Sequence, residues 1–222
     1  EGDSEEIVLP RILSAKGVPV DSSAITIAPL GGRHVNHFWR LLSQLEIPHI
    51  TLLDLDVARF GGGWGRIKYA NDQLKKFEPE KILPDNYAIP EWNNDEYPIL
   101  EHKNYLDELE ERGIFYSCPM DLDFSMLKAF PNKFEITDMD TLPDQDLIKS
   151  VLGKKHHNPE QYTEEERELF ASYHKLFKLG SKPVNHIQAL ANLTDEELLN
   201  NMPESLSRLA DAVKTKLLEI PE

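Results

Sequence analysis

Residues 50–56, with the sequence ITLLDLD, constrain the fold of this chain more than any other segment. The apolar run is typical of a buried β-strand, and three glycines at residues 61–63 then turn the chain away. Because strand side chains repeat their direction every second residue, Asp54 and Asp56 leave the same face roughly 6 to 7 Å apart. Ligands of open α/β sheets bind beyond the carboxyl ends of the strands. The pair therefore indicates metal ligands or, alternatively, aspartates that end a strand or cap a helix.

A second acidic pair follows a second apolar segment. Residues 114–117 predict another short strand, and Asp121 and Asp123 come directly after it. The carboxyl ends of neighbouring parallel strands meet at one edge of a sheet. If the two strands are neighbours, four carboxylates are expected at the same edge.

The elements around these strands alternate between helix and strand. We predict a helix beginning near Ser4, a short strand at residues 24–28 and a helix at residues 35–45. Such alternation predicts an α/β fold with a parallel sheet flanked by helices. We divide the chain into three parts: a core at residues 1–135, an irregular and helical insertion within it at residues 70–112, and a helical region at residues 136–222 whose segment 180–192 returns to the active site.

Charge and cysteine content limit the functional classes. The 222 residues include 24 basic and 39 acidic side chains, so the formal charge is -15, which argues against a broad nucleic-acid-binding surface. Divalent cations bound to a carboxylate cluster would offset its charge locally, so a nuclease stays compatible with this balance. The single cysteine, Cys118, excludes an intramolecular disulfide. With neither a membrane-spanning apolar run nor a signal-peptide pattern, we expect a cytoplasmic protein without membrane contact.

Several other polar side chains allow two interpretations. Lys154 and Lys155 precede an Asn-Pro pair in a predicted loop, where they either contact phosphate or form an exposed turn. Metal-bound water needs no separate base, so His34, His37 and His186 are expected to be surface or helix residues. Ser117 and Cys118 are expected to pack at a strand end rather than act as nucleophiles.

The order of these motifs resembles a known family. Glu1-Gly2 opens a helix, Asp54-Leu55-Asp56 ends a strand and Asp121-Leu122-Asp123 follows. This order is similar to that of a Toprim domain, the Rossmann-like catalytic fold shared by type IA and II topoisomerases, DnaG-type primases and OLD (overcoming lysogenization defect) nucleases. The start of the chain, the Gly31-Gly32 turn and the segment of residues 180–183 favour the OLD branch. The resemblance spans residues 1 to about 192.

The resemblance implies a chemistry as well as a fold. It implies an endonuclease that nicks and cleaves DNA with two Mg²⁺ or Mn²⁺ ions, since hard cations prefer oxygen ligands. The residues that would coordinate the ions are Glu1, Glu5, Asp54, Asp56, Asp121 and Asp123. The catalytic residues would be Glu1, Asp54, Asp56 and Lys182, and DNA would contact Arg59, Lys154, Lys155 and Lys182. Related OLD sequences resemble Asp-Leu-Glu where this chain has Asp123, which is one methylene shorter. Lys182 would stabilise the charge of the transition state, and its alternative is a solvated lysine after a helix-ending glycine.

The family also implies further parts. An ABC-type ATPase precedes the Toprim region in the family, and this chain has no Walker motif. We therefore expect the chain to be the carboxy-terminal nuclease region of a longer ATPase-nuclease, with a homodimer formed through the upstream region. A Toprim glutamate normally ends a first strand, which is missing before Glu1.

Two other functions stay open on sequence grounds. A haloacid-dehalogenase phosphatase also carries Asp-x-Asp at a strand end, but its motif continues to Thr or Val where this chain has Ala58. A catalytically inactive, acidic protein-interaction domain of Toprim shape is the alternative from a different class.

Overall fold

A pair of parallel strands lies at the centre of the fold. The computed structural model describes residues 2–31, 35–136 and 141–219. The strands β1 (Thr51–Asp54) and β2 (Ile114–Ser117) pair in register, with Thr51 opposite Ile114 and Asp54 opposite Ser117. Their carboxyl ends therefore meet at one edge, which confirms the predicted α/β fold with a parallel sheet.

Helices make up most of the rest of the described chain. In chain order they are α1 (Asp3–Ala15), α2 (Val35–Gln44), α3 (Trp64–Phe77), α4 (Asn104–Glu110), α5 (Leu122–Ala129), α6 (Gln145–Leu152), α7 (Glu164–Glu168), α8 (Phe170–Tyr173), α9 (Lys182–Ala191), α10 (Asp195–Asn201) and α11 (Glu204–Glu219). A π-helical segment, His174–Leu179, continues α8. Helices α4 and α11 pack against β2, and α1 packs against α5, α9, α10 and α11.

The helical region joins the sheet through a cluster of buried aromatic side chains. Phe124 of α5 makes edge-to-face contacts with Tyr162, Phe170 and Tyr173, with ring centroids 5.7 to 6.0 Å apart. Phe177 of the π-helical segment joins the cluster by packing against the ring of Tyr173. Aromatic rings bury large areas and prefer this T-shaped packing. The cluster thus fixes α8 and the π-helical segment beside the acidic start of α5.

The order of elements follows the sequence prediction with three differences. The strand predicted at residues 24–28 does not form: Ala24 has a φ of 53°, and no described strand pairs with the residues that follow. Their apolar side chains Ile25 and Ile27 pack against the core from an irregular segment instead. Helix α1 begins at Asp3 with Gly2 as its N-cap, rather than at Ser4. Helix α3 runs to Phe77, whereas residues 72–96, rich in Pro, Asn and charge, predict an irregular connection.

None of the helices within the described ranges has the length and apolar character needed to cross a membrane.

Candidate functional site

An acidic pocket of about 230 Å³ lies beyond the carboxyl ends of the two strands. Asp54 reaches it from the end of β1, and Asp121 and Asp123 reach it from the start of α5. Glu5 of α1 and Lys182 of α9 complete its polar wall. The pocket is lined by Gly2, Asp3, Ser4, Glu5, Asp54, Asp121, Leu122, Asp123 and Lys182. Five of the residues predicted from the sequence thus share one pocket.

Backbone hydrogen bonds hold the two post-strand segments together. The amide of Leu55 donates to the carbonyl of Ser117 at 3.1 Å, and the amide of Asp56 donates to the carbonyl of Met120 at 2.8 Å. The sheet ladder thus continues beyond the strands. This continuation explains how acidic residues more than 60 positions apart in the sequence reach the same edge.

Asp123 is held by three side chains from two helices. The hydroxyl of Ser4 donates to Oδ1 at 2.6 Å, His186 Nε2 lies 2.8 Å from the same oxygen, and Lys182 Nζ lies 2.6 Å from Oδ2. An ionised carboxylate only accepts hydrogen bonds, so His186 must carry its proton on Nε2. Burial opposes ionisation of Asp123, but His186 and Lys182 outweigh it and lower its pKa. Asp123 is therefore an anion fixed at the pocket wall.

Asp56 lies in a buried network with two arginines. Its Oδ1 accepts from Arg59 Nη1 at 2.6 Å, and its Oδ2 is in close contact with Arg66 Nη2. Burial opposes its ionisation, but the charges of Arg59 and then Arg66 prevail and lower the pKa of Asp56. Asp56 is not among the residues that line the pocket. In this structure, both carboxylate oxygens of this predicted ligand bond arginines.

Arg59 connects the two acidic motifs. Its Nη1 donates to both Asp56 and Asp121, the second at 3.1 Å, and its Nη2 donates to the hydroxyl of Tyr173 at 3.0 Å and to the carbonyl of Val151 at 3.2 Å. The hydroxyl of Tyr173 donates in turn to Asp121 Oδ2 at 2.5 Å. The structure thus surrounds Arg59, predicted to bind DNA, with protein partners.

Asp121 also has a structural role at the start of a helix. It is the N-cap of α5, and its Oδ1 accepts from the amide of Phe124 at 2.9 Å. Capping satisfies one of the amides that a helix start leaves without an intrahelical partner. The other oxygen faces Arg59 and Tyr173, so Asp121 links the cap to the arginine network.

The start of α1 brings Glu5 to the pocket. Its Oε2 accepts from the amide of Gly2 at 2.7 Å, which stabilises the first turn. Glu5 is buried. The predicted catalytic residue Glu1 lies outside the described residues.

The donor chemistry of the pocket fits a hard divalent cation. Glu5, Asp54, Asp121 and Asp123 supply carboxylate oxygens, the ligand type that Mg²⁺ and Mn²⁺ prefer. Within the described ranges, no three acidic, histidine or cysteine side chains are already gathered closely enough to hold an ion. The ligand types for such an ion are thus present in one pocket.

The remaining sequence-predicted residues lie away from this pocket or outside the described ranges. Lys154 and Lys155 are exposed on the loop after α6. His37 lies on α2, and His34 is not described. Ser117 is fully buried, and burial raises the pKa of the Cys118 thiol to about 12. Neither of these two is suited to act as a nucleophile, in agreement with the prediction.

Three residues near the site were not predicted to act there. Ser4 and His186 both bond Asp123, and His186 is a fully buried residue of helix α9. Lys178 lies beside Tyr173, with Nζ 5.5 Å from the ring centroid, and partial burial followed by the charge of Arg59 lowers its pKa. The sequence contains one signal that could have identified His186: it follows Lys182 by four residues, a spacing that places both on one face of a helix.

The fold first places the chain in a class, the α/β folds of Toprim type. Residues 1–56 match the model of the family described as overcoming lysogenization defect protein-like, TOPRIM domain, which confirms the predicted resemblance.

Solved structures show the same fold over almost the whole chain. The C-terminal region of the Burkholderia pseudomallei OLD protein aligns with a TM-score of 0.56 and 18% identity, covering 98% of this chain and 95% of that chain. The C-terminal region of the Xanthomonas campestris pv. campestris OLD protein, phased with platinum, aligns with a TM-score of 0.55 and 16% identity, covering 97% of this chain and 92% of that chain. The chain therefore has the fold of an OLD C-terminal region. Among curated protein sequences, none matches it.

Proposed function

We propose that this chain is a divalent-metal-dependent DNA endonuclease that nicks and cleaves phosphodiester bonds with two ions, Mg²⁺ or Mn²⁺. The observation that carries the proposal is the pocket at the sheet edge, where Glu5, Asp54, Asp121 and Asp123 stand beside Lys182. Carboxylates with one adjacent cation suit phosphoryl chemistry, which needs ion ligands and a positive charge near the phosphate.

The pocket residues divide into ion ligands and supporting groups. Asp54, Asp123 and Glu5 would hold the ions, and Glu1 and Asp56 stay predicted ligands. Bound divalent ions supply an activated water and stabilise negative charge on the attacking and leaving oxygens.

The supporting groups act through charge and orientation. Ser4 and His186 fix the orientation of Asp123 by hydrogen bonds to Oδ1. The side chain of Lys182 is 44% exposed, so its ammonium can move from Asp123 to an incoming phosphate. A point charge there would stabilise the developing negative charge.

The test is a plasmid-nicking assay. Supercoiled plasmid is incubated with the chain in Mg²⁺, Mn²⁺ or EDTA, and Asp54→Asn is compared with the wild type. We expect nicking that needs the metal and falls at least ~100-fold in the variant, since even outer-shell changes cost ~10- to 100-fold. Asp72→Asn is the matched control, because Asp72 is exposed on α3 and pairs only loosely with Lys75, at 3.8 Å.

Two results would contradict the proposal. One is nicking that persists in EDTA, and the other is an Asp54→Asn variant as active as Asp72→Asn. Asp56→Asn belongs in the same series with its folding checked by circular dichroism, because its buried contacts with Arg59 and Arg66 also support the fold.

We further propose that the chain works as the nuclease region of a larger ATPase-nuclease that acts on DNA. This is supported by the solved structures of similar fold, which are the C-terminal regions of OLD proteins. The test is to fuse or mix the chain with its upstream segment and to measure nicking with and without ATP. A nicking rate that changes with neither the upstream segment nor ATP would count against this proposal.

One observation favours a second candidate, a catalytically inactive acidic interaction domain. Lys182 forms an ion pair with Asp123, and the described acidic side chains do not form a preassembled metal site. The plasmid-nicking assay and isothermal titration calorimetry together decide between the two candidates. An inactive domain would show no nicking with either metal and no binding of Mn²⁺.

A further inference from the structure

An exposed aromatic and basic cluster lies on the loops that follow Asp56. Phe60 is 55% exposed, and its ring meets the ring of Trp92 at a centroid distance of 5.1 Å and an angle of 65°. Lys155 Nζ lies over the ring of Phe60, 5.3 Å from its centroid. The imidazole of His157 lies 5.9 Å from the ring of Trp92. We call these four residues the aromatic platform.

The aromatic platform is built from three segments that are bonded together. Phe60 follows β1, and Trp92 rests on the first turn of α3, where a Cβ at Gly65 would lie 3.1 Å from the Cβ of Trp92. The amide of His157 donates to the carbonyl of Ala58 at 2.8 Å, which attaches the third segment to the first. The platform is therefore a fixed feature beside the acidic motif.

The charges around the aromatic platform favour an anion. Lys154 and Lys155 are exposed there, on a chain whose formal charge is -15. Two of the nearby acids have partners: Asp95 bonds His157 at 3.1 Å and Asn158 at 2.8 Å, and Glu91 pairs with Lys68 at 2.8 Å. Exposed rings flanked by lysines are the combination that binds unpaired nucleotides, since bases stack and phosphates pair with ammonium groups.

The chain length between the platform and the pocket sets their distance. Phe60 is six residues after Asp54, which lines the pocket, so their Cα atoms are at most ~22 Å apart. A DNA strand at the pocket would reach the platform within a few nucleotides. The faces of bases are open to stacking only where the strand is unpaired.

We propose that the aromatic platform stacks an unpaired base of the DNA strand whose backbone enters the acidic pocket, with Lys154 and Lys155 contacting the flanking phosphates. The inference rests on the proposed nuclease function and specifies its substrate as DNA with a single-stranded segment. Because stacking needs no bound ion, it can be measured separately from cleavage.

The test measures binding in EDTA, where no cleavage occurs. Fluorescence anisotropy follows a fluorescein-labelled oligothymidylate and the same strand annealed to its complement. We expect tighter binding of the single strand and at least a ~5-fold loss in Phe60→Ala and in Trp92→Ala, the equivalent of about 1 kcal/mol per stacked base. Tyr97→Ala is the control, since Tyr97 is 51% exposed and stacks on His102 outside the platform.

Tryptophan fluorescence gives a second readout. Trp39 and Trp64 are each 2% exposed, whereas Trp92 is half-buried, so quenching by unlabelled oligothymidylate should come from Trp92 and disappear in Trp92→Phe. Phe60 is exposed, so Phe60→Ala keeps the test valid if a Trp92 variant fails to fold.

The outcomes separate this proposal from the nuclease proposal. Unchanged affinity in Phe60→Ala, an equal loss in Tyr97→Ala, or preference for the duplex would overturn the platform even if the plasmid is nicked. Stacking and quenching without any metal-dependent nicking would support the platform as a binding surface and refute the nuclease.

Discussion

Arg59 offers the clearest test of how the site is built, because sequence and structure assign it different roles. The sequence predicts that Arg59 binds DNA. In the structure its guanidinium joins Asp56, Asp121 and Tyr173, and only 16% of the side chain is exposed. Burial opposes its charge, but the surrounding groups, Asp121 foremost, outweigh this and raise the pKa of Arg59 above its ordinary range. We expect Arg59→Ala to lower the free energy of unfolding strongly.

The contacts that Asp56 and Asp121 keep in Arg59→Ala determine how much the free energy of unfolding falls. Removing one partner of a buried ion pair costs ~3 to 5 kcal/mol, because the other charge is left uncompensated. Asp56 would keep Arg66, and Asp121 would keep the hydroxyl of Tyr173 and the amide of Phe124. These partners soften the loss, so we expect about 3 kcal/mol, the lower end of the range.

The assay is urea unfolding at pH 7, followed by circular dichroism. Arg40→Ala is the matched control, since Arg40 is exposed on α2 and its replacement should change stability by no more than ~0.5 kcal/mol. Arg59→Lys keeps the charge but loses the fork geometry, so it should fall between the wild type and Arg59→Ala. If Arg59→Ala is as stable as Arg40→Ala but has lost DNA binding, the structural role is refuted and the sequence prediction stands.

Two further predictions concern the acidic motifs. Asp56 and Asp123 both have a pKa below the ordinary 3.8 in the folded chain, so they stabilise it above that pH and lose this contribution as the pH falls through their folded pKa values. The free energy of unfolding of the wild type should therefore drop between about pH 4 and pH 2, and that of Lys182→Met should drop less steeply. Urea titrations across this range measure both. An equal dependence on pH in the two proteins would contradict the ion pair between Lys182 and Asp123. Gly62→Ala should destabilise the loop by at least ~1 kcal/mol, because a Cβ at Gly62 would overlap the carbonyl oxygen of Asp56. A Gly62→Ala melting temperature equal to that of the wild type would show that the loop can rearrange without cost.

Local patterns in the sequence were sufficient to predict the frame of the site. The apolar runs before Asp54 and Asp121 identified both strands, because a buried parallel strand needs little more than a short apolar stretch with a turn after it. Capped helix starts at Thr163 and Thr194 were equally predictable, since the capping box lies within four residues. The strand predicted at residues 24–28 was wrong because a strand also needs a neighbour, which local sequence does not reveal.

The sequence by itself determined that acidic residues follow both strands, because strand ends and helix starts depend on residues next to each other in the chain. Only the tertiary structure decided what each carboxylate contacts there. Ser4 meets Asp123 across 119 positions, and Arg59 meets Tyr173 across 114. Such partners are chosen by packing between distant elements, and packing rather than spacing places Asp123 at the pocket and Asp56 among arginines.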